Sequence, residues 1–315
     1  MPLFYIFLIF IFCFVLVKSA DAVIKTLIYF ANYFKLSKFI TAFIAIGIAT
    51  SLPELIVNIS SSIHNFPSLI LGNIIGSNIA DITLILGLSI LLSSYSLNTE
   101  ERLTQKNIFY SALLVLYPII LSLDKNLSRF DGLLILLLFP IYLLFLIYQQ
   151  KKLLPLKEKE RAYKKDVKKY LLLGLISLFV LLLSAELIVR FSALLAYQIK
   201  IPLIIVGLFL LALGTSLPEL ALSLRSVKAK TPEIILGNLA GSLVANSTFI
   251  LGLSIIISPF QIKDFPIFLV SVAFMVGSLF LYTFFGLRGK RFRKKEGLVL
   301  ILFYVAFVII QNLVS

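Results

Sequence analysis

The chain has 315 residues, of which 60% are hydrophobic and only 14% charged. That balance excludes a soluble globular domain, and no polar block is long enough to fold as one beside the apolar part. The net charge of +14 would suggest nucleic acid in a soluble protein. Here its placement in short loops reports orientation instead, and no nucleic-acid partner is expected.

Apolar runs of roughly 20 residues recur along the whole length, the mark of an all-α polytopic protein of the lipid bilayer. Ten spans are expected, at 3–33, 38–63, 68–93, 107–123, 130–149, 169–198, 202–227, 233–258, 264–286 and 297–313. The first run lacks a basic leader and a small-residue cleavage site, so it is read as a retained span. Its Cys13 is the only cysteine, which excludes an intramolecular disulfide and leaves a small apolar filler. If the N-terminus is outside, 22 lysines and arginines fall in inner loops and four in outer ones. Both termini are therefore expected outside, with the basic loops cytoplasmic. The stretch 150–168 reads as a basic cytoplasmic linker, with contact to anionic lipid a secondary option.

Several stretches occur twice at one offset of 165 residues. TSLPELIV at 50–57 returns as TSLPELAL at 215–222. GNIIGSNIAD at 72–81 returns as GNLAGSLVAN at 237–246, and ILGLSI at 85–90 returns at 250–255. The offset carries span 1 onto span 6 and span 2 onto span 7. Five spans is an odd number, so the copies enter the membrane from opposite sides. Residues 1–149 and 169–315 thus read as two inverted five-span repeats, an arrangement many secondary transporters use. The repeat also pairs Asp21 and Lys25 with Glu186 and Arg190, each acid four residues before its base, as a helical ion pair requires.

Within TSLPE, proline has no amide hydrogen, so a helix must break or restart there. Ser or Thr before it favours a new helix start. Broken helices at membrane depth are tolerated where they line a cavity or are buried in protein. The break brings Thr50, Ser51 and Glu54, and in the second copy Thr215, Ser216 and Glu219, to such a place. The GNxxGS stretch supplies glycines for close helix approach. It also sets Ser77 and Asp81, or Ser242 and Asn246, on one helix face. Broken spans 2, 3, 7 and 8 are expected around a midplane ion site. Its hydroxyls and carboxylates are hard oxygen ligands, suited to Ca²⁺ and Na⁺. No histidine or cysteine joins them, which argues against Zn²⁺ and Cu⁺. Asn73 and Asn238 have a simpler reading as amides bonding across helices.

The doubled TSLPE and GNxxGS stretches resemble the α-repeats of the cation/calcium exchanger superfamily, most closely its prokaryotic sodium/calcium exchanger branch. The resemblance implies exchange of Ca²⁺ for Na⁺ by alternating access across a prokaryotic plasma membrane, without cofactor or obligate protein partner. It implies a central Ca²⁺ between Glu54 and Glu219, assisted by the Thr50 and Thr215 carbonyls. Flanking Na⁺ sites would use Ser51, Ser77, Ser216, Ser242 and the carbonyls of Gly47 and Ala212. Spans 1 and 6 would slide as a gating pair. This chain departs from the pattern at Ala49 and Leu243. It also carries its flanking acid, Asp81, in the first repeat and the amide, Asn246, in the second, the reverse of the branch it resembles. Proton coupling is the alternative, because carboxylates in a low-dielectric site can hold protons. The proton-coupled branch usually shows GNxxE, however, where this chain has GNIIG and GNLAG. An intramembrane protease is disfavoured by the lack of YD and GxGD patterns, so the chain is read as no enzyme. A passive channel is disfavoured by the inverted repeats.

Overall fold

A computed structural model describes residues 2–33, 50–99, 102–151, 167–288 and 291–314. It is almost wholly helical. In chain order the helices are α1 (Pro2–Tyr33), α2 (Leu52–Ile63), α3 (Pro67–Leu92), α4 (Arg102–Leu121), α5 (Arg129–Lys151) and α6 (Val167–Ile199). They continue with α7 (Leu203–Thr215), α8 (Leu217–Ala229), α9 (232–257), α10 (Phe265–Arg288) and α11 (Lys294–Val314). Eight of these are long and apolar enough to cross a membrane, or nine when the bent pair α7–α8 is one span. The first half of expected span 2, residues 34–49, lies outside the described residues, as does most of the basic linker.

Four two-residue strands form at the loops: β1 (Leu97–Asn98), β2 (Asn126–Leu127), β3 (Phe260–Gln261) and β4 (Arg291–Phe292). β1 pairs antiparallel with β4, and β2 with β3. Four spans separate β2 from β3: α5, α6, the bent pair α7–α8, and α9. An even number returns the chain to the same face, as the strand pairing requires. Each small sheet joins a loop of the first half to a loop of the second.

Two apolar clusters organise the packing. The larger gathers α3, α4, α5, α7, α9, α10 and α11. The smaller joins α1 and α6 to α2 and the start of α7. Helices α1 and α6 pack chiefly on each other, as a layer against the rest. Cys13 is fully buried in that layer, as an apolar filler would be. The closest backbone approach is between α3 and α7. A Cβ on Gly72 would meet the Ile204 carbonyl oxygen and lie 2.9 Å from Gly207 Cα. One on Gly76 would meet the Leu208 carbonyl oxygen and lie 2.8 Å from Ala212 Cβ. Small residues at this crossing let the two backbones touch.

Two expectations need correction. Spans 3 and 8 are not broken. Each runs through without interruption but takes a π-helical segment, Asp81–Ile85 in α3 and Ala245–Ile250 in α9. The prolines explain the difference: Pro67 and Pro232 stand at helix starts, where the missing N–H costs nothing. With no proline inside, both helices continue through the segment; α7, which does end in a break, carries a π-helical segment as well, Val206–Leu211. Span 7 is broken as expected, with a 42° bend between α7 and α8. The second correction concerns the ion pairs of spans 1 and 6. Glu186 and Arg190 close one at 2.6 Å, whereas no pair between Asp21 and Lys25 closes among the described residues. The aspartate is one methylene shorter.

Candidate ion-binding site

Proline sets the site. Helices α2 and α8 both start with a proline in the first turn, and both place their only first-turn acid there, Glu54 and Glu219. The helix N-terminus favours an anion at that position. Both carboxylates are nonetheless buried, 1% and 2% exposed. Asp81, at the start of the π-helical segment of α3, is 2% exposed and its mate Asn246 in α9 is 1% exposed. The hydroxyls of Thr50, Ser51, Ser77, Thr215, Ser216 and Ser242 are buried with them. The structure thus brings ten of the twelve expected site residues into the protein interior as side chains.

The contacts cross between the repeats. The Thr215 and Ser216 hydroxyls face Glu54, and the Thr50 hydroxyl faces Glu219. Ser216 also faces Asp81. Ser242 donates to Glu219 Oε1 at 3.4 Å. A cavity of about 10 Å³ lies between Asp81 and Glu219, with Ser223 and Asn238 on its wall, close to the size of one water.

Two asparagines that the sequence left as helix-bridging amides define the frame of the site. Thr50 Oγ1 donates to Asn238 Oδ1 at 3.1 Å, and Thr215 Oγ1 donates to Asn73 Oδ1 at 3.2 Å. The two bonds are mates under the offset of 165 residues, and each ties one half's break to the other half's GN motif. Replacing either asparagine by alanine should cost about 1 kcal/mol of stability, and the two costs should match within a few tenths. Thermal melts of N73A and N238A in detergent check this. A second amide pair lies deeper: Asn246 Nδ2 donates to Asn78 Oδ1 at 3.1 Å, and Asn78 Nδ2 to Ser247 Oγ at 2.7 Å.

The remaining two expected ligands were backbone carbonyls. Gly47 lies outside the described residues. The Ala212 carbonyl accepts the Ser216 N–H at 3.0 Å, and the Thr215 hydroxyl lies 3.4 Å from it, so the break does not free it. Pro218 has no N–H, so it leaves the Gly214 carbonyl, four residues before it, without a helical donor. The sequence signal for it was the proline itself, counted back one turn.

The feature that decides the chemistry is a surplus of buried oxygen. Both oxygens of Glu54, both of Asp81, Glu219 Oε2, Asn246 Oδ1 and the hydroxyls of Ser51, Ser77 and Ser216 have no hydrogen-bond partner. A single buried polar group without a partner costs about 2–7 kcal/mol, and an isolated charge far more. Nine such oxygens around three acids are tolerable where cations complete them. Among the described residues no three acids, histidines or cysteines converge on one metal-sized point. Hydroxyl, amide and carbonyl oxygens would therefore fill out a coordination shell, as hard ions accept.

Fold and site together define a helical membrane protein with a buried, oxygen-lined site at the seam of two related halves. The chain belongs to the sodium/calcium exchanger family, whose model matches it twice, over residues 4–148 and 169–313. Those two matches are displaced by the same 165 residues as the repeated motifs. The chain is 28% identical to the sodium/calcium exchanger MaX1 of Methanosarcina acetivorans, over 94% of this chain and 95% of the relative. It is 30% identical to the inner membrane protein YrbG of Escherichia coli, over 82% and 83%. The solved structure of the sodium-calcium exchanger NCX_Mj, soaked with Na⁺ and Sr²⁺, superposes with a TM-score of 0.65 at 27% identity, covering 98% of this chain and 99% of that one.

Proposed function

We propose that this membrane protein is a secondary antiporter exchanging Ca²⁺ for Na⁺ by alternating access. One observation carries the reading: nine buried, partnerless oxygens set around Glu54, Glu219 and Asp81. Ca²⁺ would sit between the two glutamates. Na⁺ would use the flanking hydroxyls, and the two ions would compete because they need the same three negative charges. The family, MaX1 and NCX_Mj support calcium as substrate. The GNIIG and GNLAG motifs favour sodium over protons as the counter-ion. The excess of basic residues in one set of loops supports both termini outside. Alternating access follows from two half-sites that approach one centre from opposite faces.

The test is ⁴⁵Ca²⁺ uptake into proteoliposomes under separately imposed Na⁺ and H⁺ gradients. Uptake driven by an opposed Na⁺ gradient, and not by a pH gradient alone, is expected. Uptake driven by a pH gradient and indifferent to Na⁺ would replace sodium by protons, and uptake needing no counter-ion would make the protein a channel. Asp81→Asn should retain Ca²⁺ binding through Glu54 and Glu219 but lower the Hill slope for Na⁺. An unchanged slope and unchanged pH dependence would remove Asp81 from the coupling site.

A further inference from the structure

The chain's only histidine lies outside the ion site and is engaged. His64 follows the last turn of α2, ten residues beyond Glu54, or about 15 Å along the helix axis. Its Nε2 donates to both carboxylate oxygens of Glu186 on α6, at 2.7 and 2.8 Å. Ser60 of α2 donates to Glu186 Oε2 at 2.9 Å, and Arg190 of α6 donates through Nε to Oε1 at 2.6 Å. One carboxylate on α6 therefore gathers two donors from the helix that carries Glu54. The side chains of His64 and Glu186 are 28% and 31% exposed, and His64 lies at the end of α2, beside the turn to α3, the end of the helix nearest to solvent protons.

The cluster lies on one face of the membrane only. The repeat places Arg225 and Ala229 where Ser60 and His64 would recur, and Asp21 and Lys25 where Glu186 and Arg190 recur. No corresponding bridge closes there among the described residues. The charged groups around the cluster are few. Helix α6 contributes Glu186 and Arg190. Helix α1, packed along α6, carries Lys18, Asp21 and Lys25 in its second half, and none of them bears on Glu186. At the start of α3, Ser68 engages Asp264. Lys200 follows α6 and does not contribute to the Glu186 carboxylate.

We infer that His64 is a positioning residue: with Ser60 and Glu186 it forms a proton-sensitive latch between the Glu54 helix and α6, on the face that carries the N-terminus. Resting on the exchange reading only for the movement of α6 against α2, the latch follows from elementary electrostatics. Histidine changes charge between about pH 5 and 8. Protonated, it meets the carboxylate as a charge-assisted pair; neutral, it offers an ordinary hydrogen bond of about half the strength. Protons on that face thus favour the latched arrangement, and their loss releases α6. A ligand shifts a two-state equilibrium by its differential affinity for the two states, and here the ligand is the proton.

The experiment reads distance, not transport. Cys13 is the sole cysteine and is buried, so spin labels on introduced cysteines report cleanly. Tyr197 on α6 is 87% exposed and Phe130 at the start of α5 is 66% exposed, which makes Y197C/F130C a suitable pair in the full chain reconstituted in lipid nanodiscs. Raising the pH from 5.5 to 8.5 should increase the population of the distance that belongs to the released arrangement of α6 about threefold over that of the latched one, the size a partly exposed pair supports. H64Q and E186Q, two independent neutral variants, should each abolish that response. A distribution indifferent to pH in the parent, or an equal response in H64Q, would overturn the latch. A protein that shows the pH-dependent distances but fails to exchange Ca²⁺ for Na⁺ would retain the latch and lose the exchange reading.

Discussion

Glu54→Gln and Glu219→Gln should each abolish the proposed Ca²⁺ exchange while the protein still inserts and folds. Each removes one of the three negative charges that would offset a divalent ion in a site closed to water. Leaving a buried charge without its partner costs about 3–5 kcal/mol, more than a hundredfold in affinity. The two variants have a second, opposite signature. Without Ca²⁺, Glu54, Asp81 and Glu219 are three acids buried together with oxygens that no donor completes. A glutamine at 54 or 219 removes one of those acids, so the ion-free variants should melt above the parent. The parent should then gain about 2.7 kcal/mol of stability at a Ca²⁺ concentration a hundred times its Kd, and the variants nothing. Thermal melts with and without Ca²⁺, beside ⁴⁵Ca²⁺ uptake, read both effects. Near-normal uptake in either variant would remove the glutamates from the site.

Gly76→Val disrupts the crossing of α3 and α7. A Cβ there already meets the Leu208 carbonyl oxygen and the Ala212 methyl group, and two further methyl groups have nowhere to go but into backbone. Overpacking a dense interior costs about 1–3 kcal/mol when side chains can yield. Here the neighbour is main chain, so the upper end of that range, about 3 kcal/mol, is expected, with displacement of Ser77 and Thr215 from their places. The loss should appear as a lowered melting temperature and lowered Ca²⁺ affinity together. Gly76→Ala should show a smaller loss in the same direction. A valine variant as stable as the parent would mean that the two backbones are not in contact.

Much of this arrangement was legible in the sequence because the determinants are local or repeated. Span lengths follow from apolar runs, the break in span 7 from Pro218, and the burial of Glu54 and Glu219 from their copies in matching surroundings. The π-helical segments were not legible. A change in hydrogen-bond register at Asp81 or Ala245 leaves no trace in composition, and glycines nearby mark close approach as readily as a break. Spacing alone was also insufficient. Asp21–Lys25 and Glu186–Arg190 share one spacing, yet only the longer acid closes its pair. What sequence reasoning did not supply is the identity of long-range partners. His64 meets a carboxylate 122 residues away, and Thr215 meets an amide 142 residues away. Of these, only the asparagine contact left a trace, because it recurs at the offset of the repeat.

The four short strands carry one more consequence. Their pairing, β1 with β4 and β2 with β3, exchanges a loop of one half for the equivalent loop of the other. Two separate copies of a five-span chain, meeting about a twofold axis, would make the same reciprocal contact, the isologous interface of a symmetric homodimer. The molecule is in that sense a dimer whose subunits happen to share a backbone. Severing the backbone inside the basic linker should therefore leave an assembled pair of fragments, held at both faces by strands and at the centre by the Thr–Asn bonds.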